Sequence, residues 1–394
     1  MQAVPADPDE MDDASGVEED VERAIGADGV AIVASGPSCR ITGTGPVPYA
    51  VLAEVPVGLD PEGVVVDRRT GLAYVSCSRS NAVAVVDLEH AKVVATIPVG
   101  VEPIDIVVDH RAGRVLTADA RSDQVSVIDT SRNEVVATVP VGSYPAGLEI
   151  DEDRRRLYVG DAVGCTMSVV DLDRLERIAA VPAELGAGAI AVDETRGRVY
   201  CVNFVASSVT AVDADNLEVL GQLPLRQGPC AVGVHEGSGD LYIADSLAST
   251  VSRVDTDALS VAAELPVPNA PVGLTMGRRG DRLYVANRGD GSVSVLGLDG
   301  AEWSRIPVGA APGGVTEHPL HPGRLLVANA GSGSITVVDD LLDGPPSTVL
   351  EEVAHPLVGH PLPAIPLVDL WTEEPRDLGE WAGRKYVVNV FASW

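Results

Sequence analysis

One phrase returns along this chain at a fixed interval. It reads "GLAYVSCSRSNAVAVVD", "GRVLTADARSDQVSVID", "RRLYVGDAVGCTMSVVD", "GRVYCVNFVASSVTAVD", "GDLYIADSLASTVSRVD", "DRLYVANRGDGSVSVLG" and "GRLLVANAGSGSITVVD". Its anchor residues are Tyr74, Leu116, Tyr158, Tyr200, Tyr242, Tyr284 and Leu326, each 42 residues after the last. A strict period of this length marks a supersecondary unit that stacks on its neighbours to bury its apolar faces.

Each unit reads as four short strands. Gly147-Leu148-Glu149-Ile150 follows a proline and ends in Asp151; an Arg-rich turn leads to "RLYVG", a polar loop to "MSVVD", and a last strand is "RIAAVP". Alternation of period two with frequent turns is an antiparallel meander, and four strands per unit make a propeller blade. The composition agrees, with 40 Gly, 28 Pro and only two Phe. The predicted fold is all-β, a seven-bladed β-propeller with about 42 residues per four-stranded blade. Eight blades is the alternative, because Gly29 to Thr42 falls in the same register with Ile32 at the anchor. Seven is favoured: strand Val51 to Val57 can complete the blade begun by Pro312 to Asp339 and leave no open edge.

The polar residues that recur once per unit are read as architecture. Asp87, Asp129, Asp171, Asp213, Asp255 and Asp339 close the third strand, where a short carboxylate accepts backbone N–H groups in a turn. Pro61, Pro103, Pro145, Pro229 and Pro271 precede the innermost strand, at its permitted first position.

The units resemble the YVTN family of β-propellers, whose repeat reads approximately as PxGVAVxPDGxRLYVANxxxxxVSVIDxxTxxVxATIPVG. "YPAGLEIDEDRRRLYVGDAVGCTMSVVDLDRLERIAAVP" and "RLYVANRGDGSVSVLGLDG" carry the phrase here, and the resemblance covers Ala53 to Asp339. It implies a scaffold used by surface proteins, binding proteins and some cofactor-dependent enzymes, and an extracytoplasmic location.

The formal net charge is -30, to which Met1 to Asp28 contributes ten acidic residues against one Arg. That segment, 1–28, is predicted to be a mobile acidic tail, since it has too little apolar surface to offset the entropy of ordering. An acidic surface repels phosphate backbones and anionic headgroups, so neither nucleic-acid nor membrane-surface binding is expected. Only Lys92 and Lys385 are lysines, a bias compatible with a salt-rich habitat or a GC-rich genome. No signal peptide is visible in the residues as written, and no apolar run approaches membrane-spanning length. The expectation is a soluble chain. Cys39, Cys77, Cys165, Cys201 and Cys230 share no spacing and form no CxxC, so they are read as small buried hydrophobes.

Ligand chemistry is expected where a blade departs from its siblings. In an up-and-down blade, the loops leading to the first strand and those joining the second to the third open on one face around the central channel. There lie Asp60, Glu102 and Tyr144, the ring Asp119, Asp161, Asn203, Asp245, Asn287 and Asn329 broken by Cys77, and Arg79, Arg121, Phe204 and Arg288. This mixture suits a protein, peptide or glycan partner, or a cation. The plainer reading is that Asn and Asp cap loops and that Phe204 fills a gap between blades. Without a dense calcium loop, no metal is predicted. No cofactor is predicted either, since no GxSxG, P-loop or CxxCH occurs. His318-Pro319-Leu320-His321 has HxxH spacing, but Pro319 and Pro322 prevent a helix from presenting both rings.

The repeat stops past Val353, so 29–353 is read as the propeller, 354–364 as a Pro-rich linker and 365–394 as a separate fragment. Val358 to Trp394, ending "GRKYVVNVFASW", resembles the opening of a thioredoxin-fold redoxin of the TlpA/AhpC-like class. In that class CxxC follows at a helix N-terminus that lowers the pKa of the attacking thiol. The expectation is a truncated thioredoxin-like fragment, cut before its nucleophile by a premature stop, a frameshift or a UGA codon read as selenocysteine. The expected function is a non-catalytic binding scaffold with an incomplete redoxin module. The alternative is a propeller-redoxin fusion acting as a thiol-disulfide or selenocysteine-dependent oxidoreductase.

Overall fold

The computed structural model describes residues 49–344 and two short segments, Leu367–Val368 and Pro375–Arg376, which pair antiparallel. Residues 49–344 hold seven four-stranded antiparallel sheets. From the inner strand outward, blade 1 is Pro61–Val66, Leu72–Cys77, Ala82–Asp87 and Lys92–Pro98. Blade 2 is Pro103–Asp109, Arg114–Asp119, Gln124–Asp129 and Glu134–Pro140; blade 3 is Pro145–Asp151, Arg156–Asp161, Thr166–Asp171 and Glu176–Pro182. Blade 4 is Ala187–Asp193, Arg198–Asn203, Ser208–Asp213 and Val219–Pro224; blade 5 is Pro229–Val234, Leu241–Asp245, Thr250–Asp255 and Ser260–Pro266. Blade 6 is Pro271–Met276, Arg282–Asn287, Ser292–Gly297 and Glu302–Pro307; blade 7 begins Pro312–Glu317, Arg324–Asn329 and Ser334–Asp340.

Blade 7 takes its fourth strand from the start of the described chain. Tyr49–Pro56 pairs antiparallel with Ser334–Asp340, from Tyr49 opposite Asp340 to Pro56 opposite Ser334. Each inner strand packs beside those of the neighbouring blades, and Pro61–Val66 beside Pro312–Glu317 completes the circle. The ring therefore has seven blades, and the eight-blade alternative is excluded for it. The segments 1–28, Gly29 to Thr42 and Val353 onward, where the acidic tail, the extra partial blade, the linker and the redoxin resemblance were read, lie outside the described residues apart from the two short pairs.

The core lies between consecutive sheets, because alternating Val, Ile, Leu and Tyr project from both faces of the middle strands. One layer joins Val64, Val75 and Ala84 of blade 1 to Leu326, Ala328, Ile335 and Val337 of blade 7, so closure buries a full apolar interface. Each such side chain contributes roughly 1.5–3 kcal/mol on burial. Tyr74, Tyr158, Tyr200, Tyr242 and Tyr284 are fully buried in these layers. Spacing between blades 3 and 4 depends on glycine: a Cβ on Gly147 or Gly160 would stand 2.3 Å from the Gly188 carbonyl oxygen.

Polar ties repeat as well. Arg114, Arg198 and Arg282, first residues of their second strands, donate to the carbonyls of Leu172, Thr256 and Leu342 in the next blade at 3.2, 3.1 and 2.8 Å. Five of the carboxylates closing the third strands accept backbone N–H bonds from residues two and three on, as Asp171 does from Asp173 and Arg174, both at 2.9 Å; Asp339 departs from this expectation and takes the Arg324 guanidinium at 2.8 Å.

Candidate functional site

The loop leading to each inner strand and the loop joining the second and third strands are tied by one repeated backbone bond. Ser78 N–H donates to Asp60 O, Ala120 to Glu102, Ala162 to Tyr144, Phe204 to Gly186, Ser246 to Gly228, Arg288 to Ala270 and Ala330 to Ala311, all at 2.8–3.0 Å. Seven equivalent loop pairs thus open on one face of the ring, here called the upper face. The leading-loop residue has positive φ in every blade, at Asp60, Glu102, Tyr144, Gly186, Gly228, Ala270 and Ala311. Side chains stand there at a cost in strain, and only blades 1 to 3 carry large ones.

Asp119, Asp161, Asn203, Asp245, Asn287 and Asn329 do not line that face. All six are fully buried at the ends of the second strands. Each side chain turns back into its own blade and engages hydroxyls or an amide on the third strand. Asp161 accepts from Thr166 Oγ1 and Ser168 Oγ at 2.8 and 2.7 Å and from the Gly142 N–H at 3.0 Å. Asn203 donates to Ser208 Oγ and Thr210 Oγ1, both at 3.0 Å. Asp119 accepts from Ser126 and Gln124, Asp245 from Ser252 and Thr250, while Asn287 and Asn329 donate to the matching hydroxyls. These latches shape the loops and are sealed from any ligand. The sequence carried the signal: a hydroxyl or amide side chain stands five residues on and a hydroxyl seven residues on. Where Cys77 replaces the acid or amide, both partners are alanine, Ala82 and Ala84.

The remaining sequence candidates do lie on the upper face. Tyr144 Oη donates to Glu102 Oε1 at 2.8 Å, and the Arg121 guanidinium pairs with the other Glu102 oxygen. Burial, followed by the Glu102 carboxylate, pushes the Tyr144 phenol above its ordinary range. Asp60 accepts from Ser78 Oγ at 3.3 Å, and Arg79 is exposed. Phe204 is 43% exposed, so it does not fill a gap between blades. At the channel mouth Arg288 reaches Glu62 at 3.3 Å over blade 7, where Gly313 and Gly314 leave the room.

Sequence reasoning did not single out Val163, Leu185, Val205 and Leu247, which are 62%, 49%, 60% and 70% exposed on the upper-face loops of blades 3 to 5. Their sequence signal is register. The position of Val163, Val205 and Leu247 reads Arg79 and Arg121 in blades 1 and 2, and Gly289 and Gly331 in blades 6 and 7.

Below this face the inner strands surround a channel cavity of about 500 Å³, lined by apolar residues, the acids Glu62, Asp105, Glu149, Glu152 and Glu317, and the basic side chains of His110, Arg278 and Arg288. Asp105 accepts the Leu148 and Ile106 N–H groups, both at 2.8 Å, and Glu149 accepts Ile150 N–H at 3.0 Å. Burial raises Asp105 to about 6 and Glu149 to about 7. Burial likewise raises Glu62, against the pull of Arg288. Among the described residues no three His, Cys, Asp or Glu side chains are placed to hold a metal ion. The His318 and His321 rings lie with centroids 4.6 Å apart and planes tilted by 47°, and burial lowers His318 to about 4. Cys77, Cys165, Cys201 and Cys230 are free thiols; Cys77 and Cys201 are buried as expected, whereas Cys165 and Cys230 are only partly so, and burial pushes Cys77 to about 11 and Cys201 and Cys230 to about 12. No helix among the described residues is long and apolar enough to cross a membrane.

No protein-family model matches the chain, and no curated protein does. Among solved structures it is similar to Kuenenia stuttgartiensis hydrazine synthase, with a TM-score of 0.62 at 18% identity, covering 79% of this chain and 100% of that one. The shared feature is the propeller fold.

Proposed function

We propose that this chain is a binding propeller: a rigid ring, itself non-catalytic, that takes a protein, peptide or glycan ligand on its upper face. One observation carries the proposal. Seven loop pairs share one backbone framework, yet their side chains are sorted into a charged sector, an apolar sector and a sector of small residues. Asp60, Arg79, Glu102, Arg121 and Tyr144 form the first sector, with Phe204 in the second and Arg288 at the channel mouth. Solvated loops on a rigid scaffold are where binding residues concentrate. The fold-bearing latches need no ligand, so the ring and its specificity vary independently. The acidic charge argues against nucleic acid and anionic membranes as partners, and the repeat resemblance supports an extracytoplasmic site of action. The test is a peptide and glycan array probed with the wild type and with a Tyr144→Ala/Phe204→Ala double variant. Ligands captured by the wild type and lost by an equally stable variant support the proposal; ligands retained by the variant contradict it.

The phrase Val358 to Trp394 favours a second reading, in which the propeller serves a thiol-disulfide module. Cys77, Cys201 and Cys230, whose pKa values burial raises, are unsuited to that chemistry. The test is the nucleotide sequence after the Trp394 codon: an in-frame UGA or Cys codon, two codons and a further Cys codon within redoxin-like sequence would support this second reading, and unrelated sequence there would leave the binding reading alone.

A further inference from the structure

We infer that the apolar crescent across blades 3 to 5 is the seat of an extended peptide from a partner protein, bound by bulky side chains over Leu185, Phe204, Val205 and Leu247 and by an acidic residue toward Arg79. The inference rests on the upper face being the binding face and names its occupant.

The crescent is continuous. Gly186 N–H donates to Ala162 O at 2.9 Å and Ala206 N–H to Leu185 O at 3.0 Å, so the loops bearing Val163, Leu185 and Phe204-Val205 are bonded side by side. Leu247 follows one blade on, its side chain against Gly228. At the leading-loop position, Asp60, Glu102 and Tyr144 raise a wall over blades 1 to 3, whereas Gly186 and Gly228 leave blades 4 and 5 low. A chain can lie in that depression and run on past Tyr144, over the charged sector towards Arg79.

Size selects the occupant. The five exposed apolar side chains present roughly 500 Å², within the range where patches on monomers are commonly functional. A stable interface between two folded proteins needs about 800 Å² on each side, so a second copy of this ring would be underserved while a short extended segment would not. The charged side chains on the crescent's own loops are engaged within the ring, Glu184 by Ser208 and Arg226 by Glu264, which leaves an apolar centre of the kind interfaces have. A glycan usually calls for aromatic stacking faces, and Phe204 is the only aromatic of the crescent. A lipid surface would meet Asp60, Glu102 and Asp123 on the same face.

Charge sets the direction. Arg121 pairs with Glu102 and Arg288 with Glu62, but exposed Arg79 has no ion-pair partner among the described residues. A carboxylate at the blade 1 end of the peptide would supply one.

The experiment uses the full chain and fluorescein-labelled ten-residue peptides with Leu, Ile or Phe at alternate positions and Asp-Glu, Ser-Ser or Lys-Lys at one end. Anisotropy should report binding that favours acidic-ended apolar peptides. Val205→Asp/Leu247→Asp should weaken it at least tenfold at unchanged melting temperature, with Val205→Ser/Leu247→Ser replacing that pair if it fails to fold. Arg79→Glu should shift the preference to Lys-ended peptides. The inference is overturned if apolar peptides bind no better than polar ones, if the crescent variants bind undiminished, or if phosphatidylglycerol vesicles are bound through the crescent and peptides are not. A glycan lost on Tyr144→Ala, with no peptide bound, would sink the peptide while keeping the upper face. An upper face whose variants change no binding would sink both.

Discussion

Arg282 and Asp340 form an ion pair of 2.7 Å between blades 6 and 7, and the two side chains are 2% and 0% exposed. Asp340 also accepts from Tyr284 Oη at 2.9 Å, while Arg282 lies over the Trp303 ring at 4.9 Å. The pair sits where Tyr49 begins the closing strand opposite Asp340. It is therefore a polar bolt between blade 6 and the strand of blade 7 on which Tyr49–Pro56 closes the ring.

Removing one partner leaves the other charge buried. Arg282→Ala should cost about 3–5 kcal/mol, read as a lower urea midpoint. Joint replacement by Arg282→Met and Asp340→Leu should recover much of that loss. An Arg282→Ala chain as stable as the wild type would show the bolt to be idle.

The channel acids set a pH dependence. Burial raises Glu149 and Asp105, so the folded state holds protons that the unfolded chain has released. Between the ordinary carboxylate range near pH 4–4.5 and about pH 7, their stabilising contribution is lost as pH rises. Carboxylates held low by their partners, such as Asp109 beside Arg155, act oppositely and are lost only at more acid pH. Melting temperatures should therefore peak in the acid range and decline towards pH 7. The Asp105→Asn/Glu149→Gln variant should flatten that decline, and an unchanged slope would refute the assignment.

Asp245 is the outlying latch. Burial raises it to about 6, its Oδ1 has no hydrogen-bond partner, and blades 4, 6 and 7 place Asn at the same position. Asp245→Asn should raise the melting temperature at pH 8 and have little effect at pH 5. A loss of stability at pH 8 would mean the carboxylate itself is required.

The two buried ring thiols should be inert. Maleimide at pH 8 should leave Cys77 and Cys201 unmodified in the native protein and label both in denaturant. Native labelling at either of them would show a blade that opens.

The blade register was legible because each strand alternates and each anchor recurs at 42 residues, a pattern that one packing mode satisfies. The direction of Asp161 and its equivalents was not read. A polar residue at a strand end suits a solvated loop equally well until its hydroxyl partners, five and seven residues on, are recognised. The crescent was missed for a different reason. Val163, Val205 and Leu247 lie 42 residues apart in the chain, and only the packing of one blade on the next sets their loops side by side.

The central claim is that side chains departing from the repeat, and not the ring itself, carry the binding. A variant that resets them to their counterparts in blade 7 tests it most directly: Tyr144→Ala, Phe204→Ala, Val205→Gly and Leu247→Gly. Surface changes of this kind should alter stability by less than about 2 kcal/mol in total. The predicted result is a ring that melts within a few degrees of the wild type and has lost the ligands captured on the peptide and glycan array. Undiminished binding by this levelled ring would contradict the account.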